Sequence, residues 1–256
     1  MNGAASISRI SLSNVNLHYP SVAYATRSLL SMLGRAVGKG SRTPRLKDIH
    51  ALKNITTEIK KGERVALLGH NGAGKSTFLK VVAGLYPISS GQLEVKGQIR
   101  SLFDISLGFE PDATGRANIL YRGLLLGCSP RFVREREAEI VAFADLGEFI
   151  DYPLSTYSAG MQVRLAFAIS TFIGGDVLLL DEVIGAGDAS FMVKARARIS
   201  ELIQQSEILV LASHDLQTVS SFCERGLVFH HGELAFDGPT ARAIAAYRRL
   251  TGLSNG

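Results

Sequence analysis

Residues 69–77 read Gly-His-Asn-Gly-Ala-Gly-Lys-Ser-Thr, and this stretch decides the fold. It fits the phosphate-binding pattern G-x-x-x-x-G-K-[ST], the P-loop. The run Glu63–Leu68 before it is strand-like, and Thr77–Val82 after it is compatible with a helix, which is the context that the motif requires. We therefore predict an α/β fold in which a nucleotide is bound by Gly69, His70, Asn71, Gly72, Ala73, Gly74, Lys75, Ser76 and Thr77.

The residue types of this loop suit phosphate chemistry. Glycines let the backbone approach the ligand closely, so that its N–H groups face phosphate oxygens, and the helix N-terminus adds a favourable dipole. Lys75 is predicted to contact the β- and γ-phosphates, and the Ser76 hydroxyl to ligate Mg²⁺. An ordinary glycine-rich turn is the alternative, but it would not explain the strand and helix on either side.

A second predicted site follows the apolar run Val177–Leu180, which ends in two carboxylates. This pattern is typical of a buried parallel strand whose carboxyl end faces the ligand site of an α/β sheet. Asp181 is predicted to hold the Mg²⁺ shell. Glu182, one residue later, is predicted to polarise the water that attacks the γ-phosphate.

With these two sites in one chain, the sequence resembles the ATP-binding subunit of an ABC transporter over about residues 7–248. The segment Tyr-Ser-Ala-Gly-Met at 157–161 stands where that family has its signature, Leu-Ser-Gly-Gly-Gln. Asp188 stands at the family's D-loop aspartate, and His214 matches its switch histidine. The resemblance implies a P-loop NTPase (ABC ATPase) core with an antiparallel β subdomain and a helical subdomain.

Three stretches narrow the resemblance to one subfamily, the exporters of cell-surface polysaccharides. Residues 157–161 are similar to that subfamily's Tyr-Ser-Ser-Gly-Met variant. Residues 181–191 resemble its Asp-Glu-Val-Leu-Ala-Val-Gly-Asp run, and residues 107–119 resemble its Gly-Phe-x-Pro-Glu-Leu-Thr-Gly-Arg-Glu-Asn-Ile segment. The substrate class implied is O-antigen, capsule or wall glycan.

The resemblance also implies how the site works. Two chains would form a homodimer in which Ser158 and Gly160 of one subunit close over the ATP and Mg²⁺ held by the other. His214 would donate to the γ-phosphate. Tyr19 stands where the family has an aromatic residue that stacks on adenine; a strand-end tyrosine with a solvated hydroxyl is the alternative.

The family's Q-loop glutamine is missing from its expected place. The nearest polar residue is Asp104, whose carboxylate would reach the Mg²⁺ shell through water. An aspartate at a turn after a strand is an equally good interpretation. Gln98 is a weaker candidate, because its surroundings are typical of a strand interior.

The order of elements predicts one nucleotide-binding domain over residues 1–256, with a helical subdomain at about 110–157. Ile7–Tyr19 is predicted as an edge strand, and Ala51–Leu68 as a hairpin leading into the P-loop. A short helix from Thr240 closes the domain, so no C-terminal carbohydrate-binding domain is expected.

Residues 21–48 lengthen the path between the first strand and the hairpin. They combine a predicted amphipathic helix, with Leu29 and Leu33 on its apolar face, and a basic stretch. One interpretation packs the helix on its own domain. The other places it against the permease or the bilayer, where the basic stretch favours anionic groups.

Composition agrees with an ATPase that works beside a membrane. With 256 residues, 46% of them hydrophobic, the chain can bury a substantial core, and no apolar run approaches the ~18 residues of a membrane-spanning helix. There is no signal-peptide pattern, and two cysteines do not make a disulfide framework. The net charge of +5 permits contact with anionic lipid; without any nucleic-acid motif, no nucleic-acid partner is expected. His230 and His231 are interpreted as turn and strand residues without a metal role.

The function predicted from the sequence is ATP hydrolysis that drives a separate integral-membrane permease to export a lipid-linked glycan. The subunit would sit at the cytoplasmic face of the inner membrane as a peripheral protein. The alternative is a non-transport ABC ATPase acting on ribosomes or DNA. Such proteins usually carry two cassettes, a coiled coil or a charged arm, and the sequence has none of these.

Overall fold

The strands divide between two sheets that face each other. The computed structural model describes residues 7–19, 48–103, 108–172, 175–181 and 189–252. Its strands are β1 (Arg9–Tyr19), β2 (Ile49–Lys60), β3 (Arg64–Leu68), β4 (Ser90–Lys96), β5 (Ile99–Ser101), β6 (Val177–Asp181), β7 (Ile208–Ala212), β8 (Arg225–His230) and β9 (Glu233–Pro239). The first sheet is antiparallel with order β2-β1-β4, and the second has order β5-β6-β7-β3-β8-β9.

The second sheet is parallel from β5 to β8, and β9 is added antiparallel at its edge. Its central strands β3, β6 and β7 are almost entirely buried, which explains why their sequences are continuous apolar runs. The register pairs Leu67 with Ala212 and Asp181 with Ala212. The segments that follow β3, β6 and β7 therefore leave the sheet at one common edge, the carboxyl edge of the parallel strands.

Helices cover both faces of the second sheet and form a separate lobe. They are α1 (Lys75–Val82), α2 (Gly115–Leu125), α3 (Pro130–Ala144), α4 (Ala159–Phe172), α5 (Ala189–Gln205), α6 (Leu216–Phe222) and α7 (Thr240–Thr251). Helix α1 is buried between the two sheets through Phe78 and Leu79. Helices α5, α6 and α7 pack on the opposite face, where Phe191, Val219 and Ala243 are buried.

The helical lobe consists of α2, α3, two 3-10 turns (Gly147–Asp151 and Leu154–Thr156) and part of α4. Helix α4 belongs to two cores, because Phe167 packs with the second sheet whereas Leu165 and Ile169 pack with α2 and α3. Helix α4 thus couples the lobe mechanically to the sheet. Side-chain hydroxyls cap two of these helices: Thr114 accepts from the Ala117 N–H at the start of α2, and Ser129 accepts from the Phe132 N–H at the start of α3.

Arg225 links the two sheets. Its guanidinium donates to the Glu58 carbonyl of β2 at 2.7 Å, to Glu63 at 2.9 Å and to Asp237 of β9 at 2.7 Å. Bonds to charged partners of this kind are among the stronger ones in proteins. They raise the pKa of Arg225, chiefly through Asp237.

Two sequence-based predictions about strands were wrong. Strand β1 lies between β2 and β4 and is not an edge strand. The segment Ala51–Leu68 does turn near Lys61 and Gly62, but β2 pairs with β1 and β3 pairs with β7 and β8. The turn therefore carries the chain from one sheet to the other, because each strand finds its apolar partners far along the sequence.

Candidate functional site

The P-loop joins the carboxyl end of β3 to the N-terminus of α1. Gly72 and Gly74 have φ values of 80° and 115°, a region that side chains with a Cβ rarely adopt. A Cβ at Gly74 would also lie 3.3 Å from the Ala51 carbonyl oxygen. The loop is tied back by a bond of 3.0 Å from the Ala73 N–H to the His70 carbonyl. These restraints bring the backbone close enough to wrap an anion at the start of a helix.

Lys75 lies inside this loop. Its side chain is buried, and Nζ donates to the Gly69 carbonyl at 2.6 Å and to the His70 carbonyl at 3.2 Å. The ammonium group is thus held at the mouth of the loop, where a phosphate would accept from it. Ser76, the next residue, is exposed on the first turn of α1.

Asp181 reaches the same edge of the sheet from another strand. It is the last residue of β6 and is half-buried, and β7 lies between β6 and the P-loop strand β3. A hydroxyl from Ser76 and a carboxylate from Asp181 are hard oxygen donors of the type that Mg²⁺ prefers, so the donor chemistry fits the predicted ion.

His214 follows β7, which lies between β6, the strand of Asp181, and β3, the strand that leads into the P-loop. It is exposed and follows directly after β7 and Ser213. The neighbouring Asp215 caps α6, since its carboxylate accepts from the Thr218 hydroxyl at 2.5 Å and from the Gln217 N–H at 3.0 Å. These bonds, the one from Thr218 first, lower the pKa of Asp215. The cap fixes the turn that presents His214 at the carboxyl edge.

Tyr19 ends β1 beside the P-loop helix. Its hydroxyl lies 3.3 Å from Oγ1 of Thr77, and its ring meets the edge of Tyr86 with centroids 5.5 Å apart. The structure thus brings Tyr19 next to the nucleotide-binding loop. Stacking on a base remains a prediction.

The signature segment lies at the surface of the helical lobe. Tyr157 is buried, and its hydroxyl donates to the Phe149 carbonyl at 2.6 Å; burial raises its pKa. Ser158, Ala159 and Gly160 are all exposed, and the Ser158 hydroxyl accepts from the Met161 N–H at 3.2 Å, which is the hydrogen bond of an N-cap. A Cβ at Gly160 would meet only the Ser158 hydroxyl, at 3.9 Å. Nothing in the described part of this chain therefore requires glycine at position 160.

Several predicted site residues lie outside the described residues: Asp104, Glu182, Asp188 and all of segment 21–48 except Asp48. Gln98, the weaker Q-loop candidate, is described. It precedes β5, where Ile99 pairs with the first residue of β6, Val177. Gln98 therefore lies at the amino edge of the parallel strands, opposite the P-loop, which argues against a Q-loop role.

Comparison with known proteins decides the family. Residues 52–185 match the model of the family described as "ABC transporter". The chain is 40% identical over 223 residues to the O-antigen export system ATP-binding protein RfbE of Yersinia enterocolitica, covering 86% of this chain and 93% of that protein. The chain belongs to the ABC transporter family.

Other relatives of this ABC protein are longer. It is 42% identical to the O-antigen export system ATP-binding protein RfbB of Myxococcus xanthus, over 80% of this chain but only 47% of that protein. It is 33% identical to the teichoic acids export ATP-binding protein TagH of Lactococcus lactis, over 82% of this chain and 45% of that protein. The chain thus spans about half the length of these two relatives.

Solved structures show the same fold. An ATP-binding cassette determined as a dimer in a post-hydrolysis state, with ADP and Pi bound, gives a TM-score of 0.65 at 22% identity, over 90% of this chain and 98% of that chain. The predicted ABC ATPase fold is confirmed. Among the described helices, none combines the length and apolar character needed to cross a membrane.

The sequence did not indicate two features around the site. Asn118 is fully buried, and its amide holds the loop before α2 by four hydrogen bonds. The signal for it in the sequence was its place inside the stretch 107–119, which resembles a subfamily segment. The second feature concerns His230 and His231, which end β8 and begin the turn after it, as interpreted from the sequence. They lie beside His70 of the P-loop, and a potential ligand cluster is therefore present.

Proposed function

We propose that this chain is the ATP-hydrolysing subunit of an ABC exporter that moves a lipid-linked polysaccharide, such as O-antigen, capsule or wall glycan, across the inner membrane. Two relatives of different bacterial groups carry names of O-antigen export systems and one that of a teichoic acids export system. The shared theme of these names is export of a surface glycan, and the P-loop supplies the energy-coupling chemistry.

The observation that carries the proposal is the exposed signature segment. Within the residues that the structure describes, no close neighbour requires glycine at position 160, and Gly160 lies in the first turn of a helix whose later residues, Leu165–Thr171, are buried. An exposed helix N-terminus with no Cβ in the way suits close approach of a phosphate. We propose that this phosphate belongs to ATP held by the P-loop of a second copy, so that two chains enclose two ATP molecules.

The proposed reaction is in-line hydrolysis of the γ-phosphate. Glu182 orients a water molecule and accepts its proton as the water oxygen attacks the γ-phosphorus, while the bond to the β,γ-bridging oxygen breaks to release ADP and phosphate. Lys75 would leave its two P-loop carbonyls to contact the β- and γ-phosphates. His214 would donate to a γ-phosphate oxygen, and Ser158 and Gly160 of the partner copy would complete the donors.

The other nucleotide contacts follow from the same edge of the sheet. Ser76 and Asp181 would hold Mg²⁺, which supplies neutralising charge to the β- and γ-phosphates, with Asp104 a further candidate through water. Tyr19 would stack on adenine beside α1. Asp188 would act at the dimer contact, as the family resemblance implies.

The proposed closing and reopening of the dimer drives transport only through a second protein. Closure of two copies over ATP, and reopening after the γ-phosphate is lost, would drive a separate integral-membrane permease. The subunit would then work as a peripheral protein at the cytoplasmic face of the inner membrane. Residues 21–48 are the proposed segment nearest the permease or the bilayer.

The test is deletion of the gene, with the amount of surface glycan measured in the deletion strain. Loss of the glycan from the cell surface, with lipid-linked glycan accumulating inside, is expected, and the wild-type chain but not Lys75→Ala should restore export. Affinity purification from membranes should recover an integral-membrane protein. Recovery with ribosomes or DNA, and unchanged surface glycan in the deletion strain, would overturn the proposal.

A further inference from the structure

Three histidines meet on the side of the P-loop that faces the β8–β9 hairpin. His70 is the second residue of the P-loop, His230 ends β8, and His231 is in the turn. The ring centroid of His70 lies 5.5 Å from that of His230 and 4.8 Å from that of His231, and the ring centroids of His230 and His231 are 4.3 Å apart. One ligand nitrogen from each ring lies within 4.8 Å of the others. His70 belongs to the predicted nucleotide-binding loop, whereas His230 and His231 have no role in the proposed nucleotide site.

The backbone holds the two segments together before any ligand is considered. The Gly232 N–H donates to the Ala73 carbonyl of the P-loop at 2.9 Å, and the Gly232 carbonyl accepts from the Lys53 N–H at 2.8 Å. On the other side, a Cβ at Gly69 would lie 2.6 Å from the Phe229 carbonyl oxygen, so glycine is required for this approach. The three imidazoles therefore share a fixed scaffold.

His70 is also oriented as a ligand. Its Nδ1 lies 2.8 Å from the Asn71 carbonyl oxygen, which can only accept, so we assign the ring proton to Nδ1. Its Nε2 is buried and has no hydrogen-bond partner in the described part of the chain. A histidine that donates one ring N–H to a backbone carbonyl and keeps the other nitrogen available as a ligand has the hydrogen-bond arrangement seen in metal-binding histidines.

We propose that His70, His230 and His231 form a binding site for a divalent transition-metal ion of the zinc class, with water as a fourth ligand. Imidazole nitrogens suit Zn²⁺, whereas the Mg²⁺ of the nucleotide site prefers oxygen. Zinc–nitrogen bonds of about 2.0–2.1 Å in tetrahedral geometry bring ligand nitrogens to roughly 3.3 Å from one another. Side-chain rotations that close the 4.8 Å cluster by about 1.5 Å complete the site. Metal binding then ties the P-loop to the hairpin turn.

The test is Zn²⁺ binding by the full-length chain, free of nucleotide, chelator and any polyhistidine tag, measured by calorimetry. Co²⁺ in place of Zn²⁺ reports the ligand geometry through its visible absorption. His230→Gln and His231→Asn each remove one ligand; asparagine suits position 231 because its φ of 49° lies in the left-handed region. His50→Gln is the matched control, since His50 stacks on His18 with centroids 4.0 Å apart but outside the cluster. Cys128→Ser controls for the partly exposed thiol.

The expected result is one Zn²⁺ per chain and a tetrahedral Co²⁺ spectrum. Each ligand variant should weaken binding by at least about tenfold, since even a changed outer-shell contact typically costs that much. The His50 and Cys128 variants should bind as the wild type does. Circular dichroism and thermal unfolding without metal should be unchanged in all variants, so that lost binding is not lost folding. Absence of stoichiometric binding, or equal loss in the His50 variant, would overturn the proposal.

Discussion

Asn118 provides the sharpest stability test, because its contacts are buried and countable. The Oδ1 atom accepts from the Glu110 N–H at 2.8 Å. The amide Nδ2 serves three carbonyls, those of Glu110 at 3.0 Å, Thr114 at 3.0 Å and Ala113 at 3.2 Å. The substitution Asn118→Asp keeps the shape and the acceptor, but it removes both donor hydrogens and turns an oxygen toward the three carbonyls.

The expected cost follows from the two lost hydrogens. Each of the three carbonyls keeps a backbone donor, the N–H of Ala113, Asn118 or Leu154. The two lost hydrogen bonds cost about 1–3 kcal/mol together, and the carboxyl oxygen that now faces the carbonyls is a buried polar atom without a donor, so the protein should be destabilised by about 3 kcal/mol. For a chain of this size that corresponds to a melting temperature lower by roughly 6–12 °C. Burial among carbonyls should raise the pKa of the new carboxyl above its unfolded value, so the loss of stability relative to the wild type should be smallest at low pH and grow as the pH rises through that raised pKa.

Thermal and denaturant unfolding of the full chain would measure this effect. Gln204→Glu is the matched amide-to-acid control, because Gln204 is exposed on α5. The control should shift the free energy of unfolding by no more than about 0.5 kcal/mol. If Asn118→Asp were no more destabilising than the control, the claim that this amide holds the loop before α2 would be refuted.

Two further predictions concern the nucleotide. Tyr19→Ala should weaken ATP binding about 5- to 150-fold if the ring stacks on adenine. Tyr19→Phe should bind ATP normally, because it loses only the 3.3 Å contact between the tyrosine hydroxyl and Thr77. Equal affinities of the wild type and both variants in a fluorescence titration would refute stacking. Gly160→Asp should leave the melting temperature and single-chain ATP binding unchanged, because among the described residues only the Ser158 hydroxyl lies within 4 Å of a Cβ at this position. The same change should abolish hydrolysis. When the Gly160→Asp and Lys75→Ala variants are mixed, each mixed dimer should regain at most one working ATP site. Two working sites per dimer would contradict the proposal that both chains contribute to each site.

Local patterns predicted much of the site. The P-loop between β3 and α1 and the buried strand ending at Asp181 stand where the sequence indicated. Each depends on neighbours within a few residues: glycines that need positive φ, or an apolar run.

What the sequence did not predict depends on contacts between distant segments. Alternation along β1 indicated one buried face but could not reveal that strands pair on both of its sides. The turn at Lys61 and Gly62 has hairpin composition, yet tertiary pairing sends the flanking strands to different sheets. His70 meets His230 only because the hairpin packs on Gly69, which no local pattern encodes.

The proposed mechanism requires two copies of the chain that enclose two ATP molecules, and Glu182→Gln tests this requirement most directly. The amide keeps the shape of the side chain but cannot accept the proton of the attacking water. With ATP and Mg²⁺, sedimentation of this variant should show a dimer that retains two unhydrolysed ATP molecules, while without ATP it should sediment as a monomer. A variant that hydrolyses ATP at the wild-type rate, or that binds ATP and remains monomeric at every protein concentration, would contradict the account.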